Sequence, residues 1–186
     1  MTLAQVEVYG VQRLLDGLAC DLRQGRYRPA PARRVDIPKP DGRMRPLGIP
    51  TVRDRIVQQA ARLVLEPIFE ADFLAVSYGY RPKRSATDAL EAVRVAFPRG
   101  CRFVAEFDIR GFFGSIDHGR LMELVGRRVS DRRVLRLIRQ WLQAGVLVEG
   151  RLQERVAGTP QGGAATRKAH VVSGSRRSEV WLMSKA

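Results

Sequence analysis

An apolar run, Phe103-Val104-Ala105-Glu106-Phe107, delivers one aspartate, Asp108, into the segment Ile109-Arg110-Gly111-Phe112-Phe113-Gly114-Ser115-Ile116-Asp117-His118. A carboxylate at the end of a buried strand can hold a hard cation through its oxygens, and the amides after it can meet phosphate. The plainer alternative is that Asp108 caps the turn that follows the strand. His118 stands beside a helix cap with no second histidine at ligand spacing, so it receives no role. Nowhere downstream does a second acidic pair stand on a strand. The chain carries half of a metal-dependent site.

The elements that must position these residues alternate between helical and extended patterns. Residues 1–24 read as one helix on Val6, Val11, Leu14, Leu18 and Leu22, stopped by Gly25. Residues 33–39 and 43–49 are extended runs around Pro40-Asp41-Gly42, which predicts a β-hairpin, and the prolines place its strands at an edge. Thr51-Val52-Arg53-Asp54 has capping-box form and opens a helix that Pro67 should stop. Ser85-Ala86-Thr87-Asp88 repeats the start signal for a helix ending at Pro98, and Asp117 should cap a third. From Ser130, the residues Val134, Leu137, Ile138, Trp141 and Leu142 recur at helical spacing. The opposite face holds Arg132, Arg133, Arg136, Arg139 and Gln143, which read either as an RNA track or as an ordinary solvated face. After Gly145, Val146-Leu147-Val148 reads as a strand entering a turn. Residues 164–186 carry five cations against one acid without any period, and read as a loosely ordered tail.

Composition narrows the function. The 186 residues make one domain, and no apolar stretch approaches the ~20 residues of a membrane span. Cys20 and Cys101 lack metal-ligand spacing and no secretory signal is visible, which points to reduced thiols in a cytoplasmic protein. The net charge is +14, and 29 of the 33 cations are arginine. Such a field favours polyanions, and the guanidinium fork binds phosphate bidentately. An arginine excess inherited from the base composition of the gene is the competing account.

Five motifs occur in order: Ile37-Pro38-Lys39; 43–51 with Arg45 and Pro46; Ser77-Tyr78-Gly79-Tyr80-Arg81-Pro82; Asp108-Ile109-Arg110-Gly111-Phe112-Phe113; and Gly158-Thr159-Pro160-Gln161-Gly162-Gly163. Together they resemble the reverse transcriptase encoded by bacterial group II introns, the intron maturase family, from about residue 10 to residue 163. The resemblance implies that the hairpin lies over the incoming nucleotide, with Lys39 and Arg45 as triphosphate contacts or else as solvated hairpin cations. It makes Asp108 the first catalytic aspartate and magnesium ligand of a polymerase palm. Phe113 would then exclude a 2′-hydroxyl from the sugar, or pack in the core as Phe112 does. Gln161 would lie near nucleotide and primer. Arg81 is left as a template-groove phosphate contact or a surface charge.

The chain departs from the family pattern in three places. Gly114 stands where these enzymes commonly carry aspartate, which is tolerable because the metal ligand is Asp108. Met1 falls inside the family's amino-terminal conserved block. Beyond Gly163 the match stops, and no Asp-Asp pair occurs anywhere in the chain, so the Tyr-x-Asp-Asp strand of the family has no counterpart. Two divalent ions ~4 Å apart repel by about 16 kcal/mol at an effective dielectric near 20, which a lone carboxylate does not offset.

The expected fold is α+β: helix-rich fingers with an edge hairpin over 1–100, part of a palm over 101–163, and a basic tail over 164–186. The expected chain is an amino-terminal fragment of a group II intron reverse transcriptase, inactive alone, its similarity broken off by a frameshift or rearrangement. A non-catalytic RNA-binding module that keeps the basic fingers surface is the rival. By resemblance its partners are RNA template, intron RNA, DNA primer, deoxynucleotides and Mg2+, with no membrane. Self-association through an uncovered palm edge is also expected.

Overall fold

A computed structural model describes residues 2–38, 40–100, 103, 105, 109, 111–153, 157 and 158. Within them helices and strands mix as the α+β class requires: α1 (Leu3–Tyr9), α2 (Val11–Arg23), β1 (Ala32–Pro38), β2 (Met44–Ile49), α3 (Val52–Glu70), α4 (Ala86–Ala96), α5 (Phe112–Ser115), α6 (His118–Gly126), α7 (Arg132–Gln143), β3 (Val146–Val148) and β4 (Arg151–Gln153).

The hairpin forms where the two extended runs and their turn put it. β1 and β2 pair antiparallel from Arg33 opposite Ile49 to Pro38 opposite Met44, and the Asp41 carboxylate accepts the Arg43 amide inside the turn. The four-stranded sheet runs β2-β1-β3-β4. β2 is an edge strand, as its proline suggested. The start of β1 is not at an edge, because Ala32 and Arg33 pair in parallel with Val146 and Leu147 of β3. β3 then turns antiparallel into β4.

Three local expectations give way to longer-range packing. The single helix over 1–24 is broken at Gly10, whose φ of +94° closes α1 and opens α2. Pro67 does not stop α3, which continues to Glu70 with the proline inside it. A mid-helix proline costs about 3 kcal/mol. Burial of Leu65 and Phe69 on either side of Pro67 offsets that cost. Thr51 caps α3 through the Asp54 amide, but the Asp54 carboxylate does not complete a capping box. It turns inward and accepts from the hydroxyls of Tyr27 and Thr51 and from the Ala30 amide.

The Ser85 and Asp88 capping box of α4 forms in both directions, and Asp117 caps α6. α7 begins at Arg132, two residues after Ser130, because Asp131 accepts from the Arg133 and Val134 amides. Those amide bonds, Arg133 first, hold the Asp131 carboxyl below the usual carboxylate range.

The core lies in two clusters. One gathers Leu65, Phe69, Leu121, Val125, Val129 and Leu142 from α3, α6, the α6–α7 connection and α7. The other gathers Val6, Leu14, Leu18, Tyr27 and Val57 from α1, α2, the connector to β1 and α3. α7 serves both: Val134, Leu135 and Ile138 pack on the first, Leu137 and Trp141 on the second. Trp141 Nε1 also donates to the Tyr27 hydroxyl at 3.3 Å, which ties α7 to the buried Asp54.

The strand expected over 103–107 lies mostly outside the described residues; Phe103 and Ala105 are described, and neither is in a strand. The tail over 164–186 and Cys101 also lie outside them. Cys20 is a free, half-buried thiol.

Candidate active site

Asp108, Lys39 and Gln161 lie outside the described residues, and the structure places what flanks them. Gly111 adopts the left-handed conformation, φ +66°, and opens the short turn α5 that carries Phe112 and Phe113. The two rings meet edge to face, with centroids 5.3 Å apart and planes at 73°. Both are half-buried. An edge-to-face pair fixes the Phe113 ring direction without enclosing it, which suits a side chain that must present one surface to something else.

The segment after α5 meets the start of the glycine-rich motif from 158. Asp117 bridges antiparallel to Ala157, and the Gly158 amide donates to the Ile116 carbonyl at 2.8 Å. His118 Nε2 lies 2.7 Å from the Gly158 carbonyl. A carbonyl only accepts, so Nε2 carries the proton in this contact. Gly158 has φ +81°, and a Cβ built on it would fall 2.8 Å from the Phe113 carbonyl and 2.7 Å from that of Gly114. Only glycine fits there. The first residue of the glycine-rich motif is thus bonded backbone to backbone to Ile116 and packed against the Phe113 and Gly114 carbonyls.

His118 is the residue that the sequence left without a role, and Gly158 makes the close backbone approach that its motif implied. The glycine had a signal in its motif; the histidine had none, because its partner is not local. Among the described residues nothing lies within 4 Å of where a Cβ on Gly114 would point, so none of them requires glycine there.

Arg45 sits on β2 opposite Ile37, exposed on the hairpin one residue from the turn-proximal pair. Of the two readings weighed for Arg81, the plain surface charge does not hold. Its side chain is 9% exposed, and Nε and Nη2 both donate to Glu70 Oε1, at 2.9 and 2.6 Å. Nη1 donates to the carbonyls of Leu74 and Ser77, and the guanidinium lies 4.7 Å from the Phe73 ring centre. The guanidinium therefore organises the loop over 71–80 from inside. The Ser77–Pro82 motif carries an internal clamp.

A two-metal centre needs several carboxylates around its ions. Among the described residues no three His, Cys, Asp or Glu side chains come together, so these residues do not themselves make up a metal centre. No helix among them is long and apolar enough to cross a membrane.

Comparison with known proteins gives one answer at three levels. The family model described as reverse transcriptase (RNA-dependent DNA polymerase) matches residues 37–166. Protein YkfC of Escherichia coli K12 is 45% identical over 148 residues, covering 77% of this chain and 39% of that protein. The group II intron-encoded protein LtrA of Lactococcus lactis is 43% identical over 143 residues, covering 76% of this chain and 24% of that protein. Among solved structures, a chain of a partial Cas6-RT-Cas1–Cas2 complex superposes with a TM-score of 0.56 at 25% identity, over 87% of this chain and 28% of that chain. The chain spans a quarter to two-fifths of the length of these two curated relatives.

Proposed function

The chain belongs to the reverse transcriptase (RNA-dependent DNA polymerase) family, of the group II intron type, and from that premise we propose that it supplies the fingers and first palm portion of such an enzyme. In this reading residues 1–100 form the fingers and 101–163 the palm portion. Asp108 is the carboxylate that the chain brings to catalysis; Lys39 and Arg45 meet the triphosphate, Phe113 faces the sugar, and Gln161 lies by nucleotide and primer. RNA template, intron RNA, DNA primer and deoxynucleotides are its partners. The family works with divalent metal, for which Asp108 is the ligand offered here.

The observation that carries the reading is the stitch at Gly158. Asp108 precedes Gly111 by three residues, and Gln161 follows Gly158 by three. The bonds from Gly158 to Ile116 and His118 bring the described start of the motif that carries Gln161 against the backbone that follows the motif carrying Asp108. One site assembled from two distant motifs is what the roles require. Arg81 enters as the residue that shapes the loop, its donors already engaged by Glu70 and two carbonyls.

With no Asp-Asp pair in its sequence, this chain unaided does not extend a primer. A non-catalytic RNA-binding module is the second reading, favoured by the charge of +14. Primer extension on an RNA template with magnesium separates them. No product is expected from the chain alone; template-dependent product that disappears with Asp108→Ala would show a working polymerase. Activity that appears only when a second chain is mixed in would show that the missing carboxylates come from elsewhere.

A further inference from the structure

Most of the surface arginines with a clear partner are neutralised locally. Arg26, Arg43, Arg53, Arg62, Arg94 and Arg128 each hold an aspartate or glutamate within 3.2 Å. α7 differs. Arg132, Arg136 and Arg139 are exposed and have no ion pair among the described residues, while their neighbour Arg133 has Asp131 at 3.7 Å. The three stand at i, i+4 and i+7, and Gln143 continues them at i+11, so all four share one narrow line on the helix. Along the axis the arginines span about 10 Å.

The line is also stiff. Trp141, on the opposite side of the helix, is bonded to Tyr27, and the flanks of α7 are packed into both core clusters. At its far end Arg139 and Gln143 border a groove of about 430 Å³ shared with His118 and Glu123 of α6, so the line does not run into a wall. Three aligned cations on a fixed helix, none of them ion-paired among the described residues, carry a positive stripe; Glu123, the acid across the groove from Arg139, is already held by Arg127. A regular row of anions complements it.

We propose that the Arg132, Arg136, Arg139 stripe of α7 is a phosphate track that holds a single nucleic-acid strand by its backbone. This rests on the nucleic-acid role proposed above and names a surface for it outside the Asp108 region. The stripe reads phosphates and not bases or sugars, so sequence and sugar type should matter little to it.

The test uses the full chain and a fluorescently labelled 20-nucleotide oligouridylate, with the matching oligothymidylate as a second arm. Anisotropy is followed across a salt titration for the wild type, for R132Q/R136Q/R139Q, and for the control R26Q/R53Q/R94Q. Both triples lower the net charge by three, from +14 to +11, so bulk charge is matched. Losing three phosphate contacts should reduce the slope of log K against log salt by about two for the stripe variant on both strands. The control should keep the wild-type slope. Circular dichroism melting accompanies each variant, and unchanged curves are expected because the three side chains are solvent-facing.

Equal slope losses in both triples would show a diffuse charge effect and overturn the track. A loss confined to RNA would show sugar recognition and overturn it as well. A wild type that binds RNA with a slope insensitive to the stripe overturns this inference alone. A wild type with no salt-steep affinity for either strand removes the nucleic-acid reading together with it.

Discussion

Helices α7 and α4 are both amphipathic, yet one is closed by its own chain and the other is not. α7 places Leu142 at 5% exposure in one core cluster and fastens Trp141 in the other. α4 is well capped, with Ser85 and Asp88 bonding each other's amides, but it buries only Ala89. Leu90 remains 60% exposed, and Phe97 in the 3-10 turn that follows remains 65% exposed. A capping box starts a helix; only packing gives its apolar side somewhere to go. The contrast separates a helix packed on both flanks by its own chain from one whose apolar side stays exposed.

The sharpest way to break this contrast is to truncate one leucine on each helix. Leu142→Ala should lose about 2–5 kcal/mol, since the site is enclosed by side chains from three elements. Leu90→Ala should stay within about 0.5 kcal/mol, because its side chain is mostly in water already. Urea denaturation of both variants reads the difference. Comparable losses would mean that α4 is packed in solution as firmly as α7.

Next in size is the polar tie behind α7. Tyr27→Phe leaves the Asp54 carboxylate and the Trp141 indole short of a partner in a buried place, which should cost about 1–3 kcal/mol. The same residue makes a pH prediction. Burial, followed by the hydrogen bond to Asp54, pushes the Tyr27 hydroxyl well above the usual tyrosine range. A group raised in the folded state contributes its full stability below the unfolded pKa, about 10, and loses it as the pH climbs past that value. Wild-type stability should therefore fall between pH 9 and 11 more steeply than that of Tyr27→Phe. Parallel pH curves would place the hydroxyl in water.

The smallest effect on stability, and the most telling for α4, comes from polar replacement of its open side. Leu90→Ser with Phe97→Ser should leave the urea midpoint nearly unchanged while shifting sedimentation toward monomer. An equally associated double variant would put the sticky surface elsewhere, with Phe103, which is almost wholly exposed, the next to examine.

Features with a local cause were legible in the sequence. The hairpin and its Pro-Asp-Gly turn, the caps at Ser85 and Asp117, and the apolar positions of α7 all follow from neighbours within four residues. The five motifs also identified the family. What escaped depends on partners far along the chain. Asp54 was read as a helix cap because its partner Tyr27 lies 27 residues away, and His118 was left idle because Gly158 lies 40 residues on. Arg81 escaped for a related reason: its acid sits on α3, 11 residues back, and only the loop's fold brings Glu70 beneath it. Pro67 misled because its penalty is local while Phe69's burial is not. Three of the proposed site residues, Asp108, Lys39 and Gln161, lie outside what the structure describes, so their roles stand on the motifs.

The parallel pairing of Ala32 and Arg33 with Val146 and Leu147 sets an order of events during synthesis. Nearly the whole helical scaffold must leave the ribosome before β3 exists, and Trp141 reaches Tyr27 across 114 residues. The hairpin can close early, since its strands are joined by a short turn. The other edge of β1's first residues, and the pocket for Trp141, must wait until residues 141–147 are made. Closing so long a loop is slow and leaves unpaired backbone in the emerging chain. For this protein the two contacts that reach back to the start of the chain, Trp141 to Tyr27 and β3 to β1, are both made late, so a pause in translation before Val146 leaves β1 without its parallel partner.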